Sequence, residues 1–366
     1  MESKAAVARV GEPGFKIETI ALDEPRDDEI LIKIAGVGLC HTDIAFKQSG
    51  QLGPAAVFGH EGSGIVERVG RDVKKVAPGD RVVITFRSCG VCKRCKIGEP
   101  AYCHSMPALN YTGVRTDGTK SLSDAAGRIA GNFFAQSSFA QYSLAYERNV
   151  VKIPSDVPLE LMGPLGCGVQ TGFGGVVRSL KAERGSTILI LGGGSVGLCA
   201  VMGAKVQGCS TVIVLEPVES RRSLALELGA THVIDPKVER DLAAKVREIV
   251  PIGVDYAFDT SGIPEVLSAT MNCLGPHGTF GIVGICPRGT SLPGDMIQVI
   301  TYGHTVKGII EGDSDPDEFI PEMVEHFRSG RLPFDRLIRT YPLSEINKAI
   351  DEQHRGDCVK AVLLPD

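Results

Sequence analysis

Four cysteines, Cys89, Cys92, Cys95 and Cys103, stand within fifteen residues in the segment CGVCKRCKIGEPAYC, at the spacing C-x2-C-x2-C-x7-C. Thiolates this close, separated by turn-forming glycine and polar residues, can converge on one tetrahedral ion. Four of them leave no position for water or substrate, so the spacing predicts a closed, structural zinc site. An iron–sulfur cluster of bacterial type prefers three residues before its last cysteine and a proline after it. Here seven intervene and His104 follows. Zinc at this point would stiffen a lobe, residues 89–103, that has few apolar side chains of its own.

Two further fragments each carry one side chain able to bind a metal: Cys40 in GLCHTD and His60 in GHEGSG. Three protein ligands would leave zinc an open coordination position, the arrangement of a catalytic centre. Spacing alone does not choose between that and a small buried cysteine beside a hydrogen-bonded structural histidine. The glycines flanking His60 and Glu61 permit close backbone approach. Thr42 sets a hydroxyl two residues beyond Cys40, where an alcohol could hand off a proton. Cys167, in GPLGCGVQTG, carries no spacing signal.

Further along, ILILGGGSVG (188–197) is an apolar strand followed by G-x-G-x-x-G, with Gly192, Gly194 and Gly197, and then a helical pattern. In that context the loop predicts dinucleotide binding. Glu216 ends the next strand-like run, VIVLEP, about twenty residues on. There it could accept hydrogen bonds from adenosine ribose hydroxyls and repel a 2′-phosphate, favouring NAD over NADP. The alternative is a solvated strand end.

The elements that must position these groups fall into two textures. Up to about residue 151, short apolar runs at Ala5–Val10, Glu29–Gly36, Gly64–Val69 and Arg81–Ile84 are bounded by Gly, Pro and Asp clusters, predicting a β-rich domain. After Pro154, strands and helices alternate. The pattern predicts strands at Thr187–Leu191, Val212–Glu216, His232–Ile234, Tyr256–Asp259 and Thr279–Val283. Helices are expected at Ser195–Gln207, Ser220–Leu228, around Arg240–Ile249 and after Pro264. Such alternation implies βαβ units and a parallel sheet. A helix at Glu318–Ser329 and a strand at Val359–Leu364 close the chain.

Composition sets the remaining bounds. A length of 366 residues suits about two domains. With 39 basic against 44 acidic residues and a net charge of −5, nucleic acid is excluded as an expected partner. The beginning, MESKAAVARV, has no apolar signal core, so a cytoplasmic location is expected. Leu161–Val177 and Ser186–Ala204 are free of charge but dense in glycine, and neither is expected to span a membrane. Eleven cysteines in such a chain argue against a disulfide scaffold. Cys199, Cys209, Cys273, Cys286 and Cys358 read as small buried hydrophobes.

Taken with these pieces, the stretches FGHEGSGIVERVG, QSSFAQYSLAYERN, PLELMGPLGCGVQTG and EGDSDPDEFIPEMVEHFRSGRLPFD carry a resemblance along essentially the whole chain. The sequence resembles the zinc-dependent medium-chain alcohol dehydrogenases, and within them the bacterial aryl-alcohol (benzyl alcohol) dehydrogenases. The resemblance implies an α/β protein: a GroES-like β-rich catalytic domain (1–168 and 311–366) and a Rossmann doubly wound parallel-sheet coenzyme domain (169–310), with the active site in the cleft. It implies two zinc ions per subunit and NAD. Cys40, His60 and Cys167 would hold the catalytic zinc, Glu61 would be a carboxylate able to enter its shell, and Asp43 would orient His60. Thr42 would pass the substrate proton to the nicotinamide ribose. Val196 would join the glycines at the coenzyme, His41 would touch its pyrophosphate, Arg221 its adenosine ribose and Lys360 a phosphate. Phe133, Phe134, Val283, Ile285 and Ile310 would line the substrate pocket, the paired rings suiting an aromatic or allylic alcohol; plain core packing is the alternative for them. The implied partner is a small primary alcohol or its aldehyde, in a homodimer or homotetramer with no membrane contact. A geraniol-like terpene-alcohol dehydrogenase is the nearest rival, ahead of a general primary alcohol or polyol dehydrogenase. One departure stands out: Ala45 occupies a position where many relatives carry a relay histidine.

Overall fold

The structure, a computed structural model, describes residues 1–365. Its contacts divide the chain into two compact units. One comprises Met1–Gly168, Ser314–Arg328 and the tail from Phe334; the other comprises Val169–Asp313 and Ser329–Pro333.

The first unit is built on two sheets. A five-stranded antiparallel sheet runs in the order Ala55–Val57, Glu2–Arg9, Phe15–Leu22, Leu122–Asp124 and Gly127–Ile129. The second is centred on Glu29–Gly38, which pairs with Gly62–Val69, Tyr142–Tyr146 and the tail strand Lys360–Leu364. Nearly every residue of ILIKIAGVG is buried, because this strand has sheet neighbours on both edges and core on its faces. Its end delivers Leu39 and Cys40. The tail strand enters beside that end, pairing Val362 with Gly38 and Leu363 with Val37.

A buried ion pair pins the start of the same strand. Glu29 is 1% exposed and Arg115 4% exposed; Arg115 donates to both Glu29 carboxylate oxygens at 2.7 and 3.0 Å and to Asp23 at 2.8 Å. The Tyr146 hydroxyl and the Arg26 amide complete the shell of Glu29. A carboxylate so enclosed is tolerable only because every lone pair is used.

The second unit is a six-stranded, all-parallel sheet in the order His232–Ile234, Thr211–Leu215, Thr187–Leu191, Val254–Asp259, Leu274–Ile282 and Thr305–Gly308. The strand order, not the strand direction, reverses beside Thr187–Leu191, which marks the doubly wound Rossmann arrangement. Ile188 to Leu191 are fully enclosed, as expected of a parallel strand covered on both faces. The helices Ser195–Gln207, Glu219–Leu228, Leu242–Ile249 and Pro264–Met271 follow the first four strands in sequence order.

Several expectations need correction. The helix His41–Ser49 was not evident, since its nine residues are too few to establish a period. Phe15–Leu22 and Ile346–Arg355 were likewise unanticipated. The strand expected at Thr279 begins at Leu274 and runs through Gly275, Pro276 and Gly278, residues that read as a turn. Cys199, Cys273 and Cys358 are buried as expected, but Cys209 and Cys286 are half-exposed. Leu161–Val177 folds into short helical turns, and no helix among the described residues is long and apolar enough to cross a membrane.

Arg115→Met should strand the Glu29 carboxylate and cost about 3–5 kcal/mol of stability. The double variant Arg115→Met/Glu29→Leu should recover more than half of that. Guanidinium midpoints followed by circular dichroism check both; a single-variant loss below about 1 kcal/mol, the range of an exposed pair, would contradict this account of the pin.

Candidate active site and metal centres

Among the described residues, two groups of metal-ligating side chains converge so that their donor atoms lie within 4.8 Å of one another: Cys89, Cys92, Cys95 and Cys103, and Cys40, His60, Glu61 and Cys167. None of the eleven cysteines is joined in a disulfide.

In the lobe, Cys92 Sγ lies 3.5 Å from Cys95 Sγ, and Cys89 Sγ 3.9 Å from Cys95 Sγ. A tetrahedron of zinc–sulfur bonds near 2.3 Å has edges of about 3.8 Å, so these separations fit the ion. Backbone amides also point at the sulfurs: Cys89 and Ser105 donate to Cys103, and Cys92 donates to Cys89. Amides of Cys95 and His104 draw the Cys92 thiol down to about 6, whereas burial pushes Cys103 up to about 12.

The second group is assembled from distant segments. Cys40 leads into the helix His41–Ser49, His60 and Glu61 precede the strand Gly62–Val69, and Cys167 follows the turn Gly163–Gly166. Thr85, at the end of Arg81–Ile84, holds that turn by donating its hydroxyl to the Gly166 carbonyl at 2.6 Å. Asp43 is completely buried. Its Oδ1 accepts from His60 Nδ1 at 2.8 Å and from the Gly59 amide at 2.9 Å, and its Oδ2 accepts from the Cys40 amide at 3.1 Å. The opposite nitrogen of His60, Nε2, is buried with no hydrogen-bond partner, as a metal-ligand nitrogen must be.

Electrostatics favour a cation here. A hydrogen bond from Cys167, then the charges of His60 and Lys360, hold the Cys40 thiol well below the usual range against the effect of burial. Burial opposes an imidazolium at His60, yet Asp43 and Cys40 outweigh it and push that pKa up. Burial also raises Glu61, a shift that Lys360 opposes. Lys360 is 3% exposed, with its ammonium 2.5 Å from Glu61 Oε2 and 3.1 Å from the Leu39 carbonyl. Expected at a coenzyme phosphate, it is held in this structure on the carboxylate of the metal group. Thr42 is half-buried with Oγ1 3.7 Å from Cys40 Sγ, while His41, the residue before it, is exposed.

The two phenylalanines are not open walls. Phe133 is 0% and Phe134 4% exposed, and both pack on His60: Phe134 stacked at 4.5 Å between centroids, Phe133 edge-on at 5.6 Å. Phe46, Phe58 and Tyr111 complete the cluster. Sequence reasoning also missed Gln136 and Asn149, buried amides whose only signal lay within QSSFAQYSLAYERN.

In the second unit, Gly192 follows the strand Thr187–Leu191, and Gly194 caps the helix Ser195–Gln207, with half-buried Val196 in its first turn. A Cβ on Gly197 would sit 1.9 Å from the Gly192 carbonyl, so only glycine allows this turn; one on Gly194 would meet nothing within 4 Å. The helix therefore presents open backbone at its N-terminus, a fit for a pyrophosphate. Glu216 is 3% exposed, its carboxylate accepting from the amides of Gly193 at 2.6 Å and Val218 at 2.8 Å. Arg221 lies half-buried in Glu219–Leu228; its neighbour Arg222 bonds the Glu216 carbonyl and Asp235. Val283 is half-buried, and Ile285 and Ile310 are exposed.

The description "Alcohol dehydrogenase GroES-like domain" matches residues 26–155, and "Zinc-binding dehydrogenase" matches residues 195–329. The whole chain is 43% identical to geraniol dehydrogenase of Castellaniella defragrans, covering 98% of that protein. Among solved structures, an alcohol dehydrogenase zinc-binding domain protein from Burkholderia ambifaria is 47% identical with a TM-score of 0.97, both chains covered in full. Benzyl alcohol dehydrogenase from Acinetobacter calcoaceticus is 39% identical with a TM-score of 0.96, again over both full chains. With relatives along its entire length, one GroES-like and one Rossmann unit, and donor sets suited to zinc, this chain belongs to the zinc-dependent medium-chain alcohol dehydrogenases.

Proposed function

We propose that this alcohol dehydrogenase uses NAD to oxidise primary aromatic or allylic alcohols reversibly to aldehydes. The observation that carries the reading is the convergence of Cys40, His60, Glu61 and Cys167, with the Thr42 hydroxyl beside Cys40. Residues 1–168 and 311–366 would form the catalytic domain, and 169–310 the coenzyme domain. Cys40, His60 and Cys167 are the catalytic ligands, and the cysteine lobe is the structural site.

When bound, zinc supplies a Lewis acid for the alcohol oxygen and NAD the hydride acceptor. The protein's own work is positional. Asp43 keeps a proton on His60 Nδ1 and so leaves Nε2 as the ligand atom. Lys360 restrains Glu61 at the edge of the group. Thr42 takes the substrate proton; Ala45 offers no group to receive it further on, so His41 or water must do so. Open backbone at Gly194 accepts the pyrophosphate, and Glu216 recognises the adenosine ribose.

Substrate class rests on relatives named for geraniol and benzyl alcohol. These support a flat, apolar alcohol with an activated CH2OH, and a geraniol-like substrate is as well supported as benzyl alcohol. A homodimer or homotetramer is supported by the apolar helix Met296–Tyr302, with Met296 72%, Ile297 71% and Ile300 70% exposed, just before the edge strand Thr305–Gly308. Eleven cysteines outside any disulfide support a cytoplasmic setting.

On a panel of alcohols, kcat/KM for benzyl, cinnamyl or geranyl alcohol should exceed that for ethanol by orders of magnitude, since buried apolar area contributes roughly 25 cal/mol per Å2. Secondary alcohols should react poorly. Ethanol matching benzyl alcohol would contradict the substrate class and leave the family unaffected.

NADP should be strongly disfavoured, because its 2′-phosphate would meet the Glu216 carboxylate. Glu216→Ser should narrow the NAD/NADP ratio of kcat/KM by about 1–3 kcal/mol. An unchanged ratio would assign the preference to another residue.

A further inference from the structure

The segment Asn132–Ser138 takes a costly path. Phe134, Ala135 and Ser137 all have positive φ, at 52°, 54° and 61°. Left-handed backbone at non-glycine residues persists only where the surroundings over-determine it, and it clusters at functional sites. The surroundings here are explicit. Asn149, completely buried, donates its amide to the carbonyls of Phe134 at 3.3 Å and Ala135 at 3.1 Å. Ser137 accepts from the Phe133 amide and donates to the Val57 carbonyl at 2.6 Å. Gln136 donates to the His60 carbonyl at 2.9 Å and accepts from the Gly62 amide and the Ser138 hydroxyl. The segment thus grips the backbone on both sides of His60.

The consequence of that path is the position of one ring. Phe134 lies 4.5 Å from the His60 imidazole with 25° between planes, whereas Phe133 meets the same imidazole edge-on at 89°. The Asp43 hydrogen bond fixes one atom of the imidazole, Nδ1, and leaves the ring able to tilt about that point. A flat surface against its face removes the tilt. Side chains that bind metals hold their geometry through such supporting contacts.

We propose that Phe134 is a positioning residue for the zinc ligand His60. Asp43 sets the rotation of the imidazole, Phe134 sets its plane, and Asn149 holds the left-handed turn that brings the ring there. The proposal rests on the assignment of His60 as a ligand.

The test is the release of zinc from the purified two-zinc enzyme to an excess of chelator, with the lobe zinc as internal reference. Phe134→Leu should speed loss of the catalytic zinc by a factor of roughly two to ten, the worth of an aromatic contact. Phe133→Leu, equally buried but edge-on, should change it less than twofold. The visible spectrum of the enzyme with cobalt in the catalytic site should shift in Phe134→Leu and not in Phe133→Leu. If Phe134→Leu proves too unstable to retain the lobe zinc, Phe134→Tyr (ring kept) against Phe134→Met (volume kept) makes the same comparison. Equal release from the ring-keeping and ring-lacking variants, with the cobalt spectrum unmoved, would overturn the positioning role alone. A wild-type protein that binds only the lobe zinc would overturn the ligand assignment and the proposal with it.

Discussion

A carboxylate with no exposure to solvent survives only if its oxygens are fully engaged, and Asp43 meets that condition in a way that organises the Cys40, His60, Glu61 and Cys167 group. It accepts from the Cys40 amide, the Gly59 amide and the His60 Nδ1 proton. One side chain therefore ties the segment carrying Cys40 to the segment carrying His60. By occupying Nδ1 it also determines which nitrogen of the imidazole is left to bind. The central strand Glu29–Gly38 and its neighbour Lys360–Leu364 serve this arrangement by delivering Cys40 and Lys360 to the same point.

The remaining chemistry follows from charge taken out of water. Two thiols, two carboxylates, one imidazole and one ammonium share an enclosed volume. Isolated burial of any charged member of this set would be prohibitive, and the balance leans negative once the thiols ionise. A divalent cation at Nε2 and the two sulfurs would neutralise the excess and would supply a Lewis acid there. The cysteine lobe meets the same demand differently: amides aimed at its sulfurs stabilise thiolates at a half-exposed site with little core of its own.

Legibility in the sequence followed distance along the chain. The lobe and the glycine loop are local motifs, and their spacing alone carried their chemistry. Cys40 and His60 were visible only as candidates, because a lone cysteine or histidine fits structural roles equally well. Cys167 and Lys360 had no local signal: the first is held by Thr85 through the Gly166 carbonyl, the second by strand pairing across more than three hundred residues. Family resemblance suggested a pocket at Phe133 and Phe134, yet their burial against His60 depends on left-handed backbone that no periodicity encodes. Five of the six parallel strands of the coenzyme unit were legible as apolar runs; Thr305–Gly308, with no buried residue, was not. The nine-residue helix His41–Ser49, with only Asp43 and Ile44 buried, was not.

The central claim is that one imidazole nitrogen, aimed by Asp43, and two sulfurs hold one zinc while four sulfurs hold another. Zinc K-edge absorption of the wild-type protein tests it most directly. Averaged over two ions, the first shell should contain three sulfurs per zinc near 2.3 Å and a minor nitrogen or oxygen shell at about 2.0–2.1 Å carrying an imidazole signature. A shell made of sulfur alone, or one dominated by oxygen, would contradict the account.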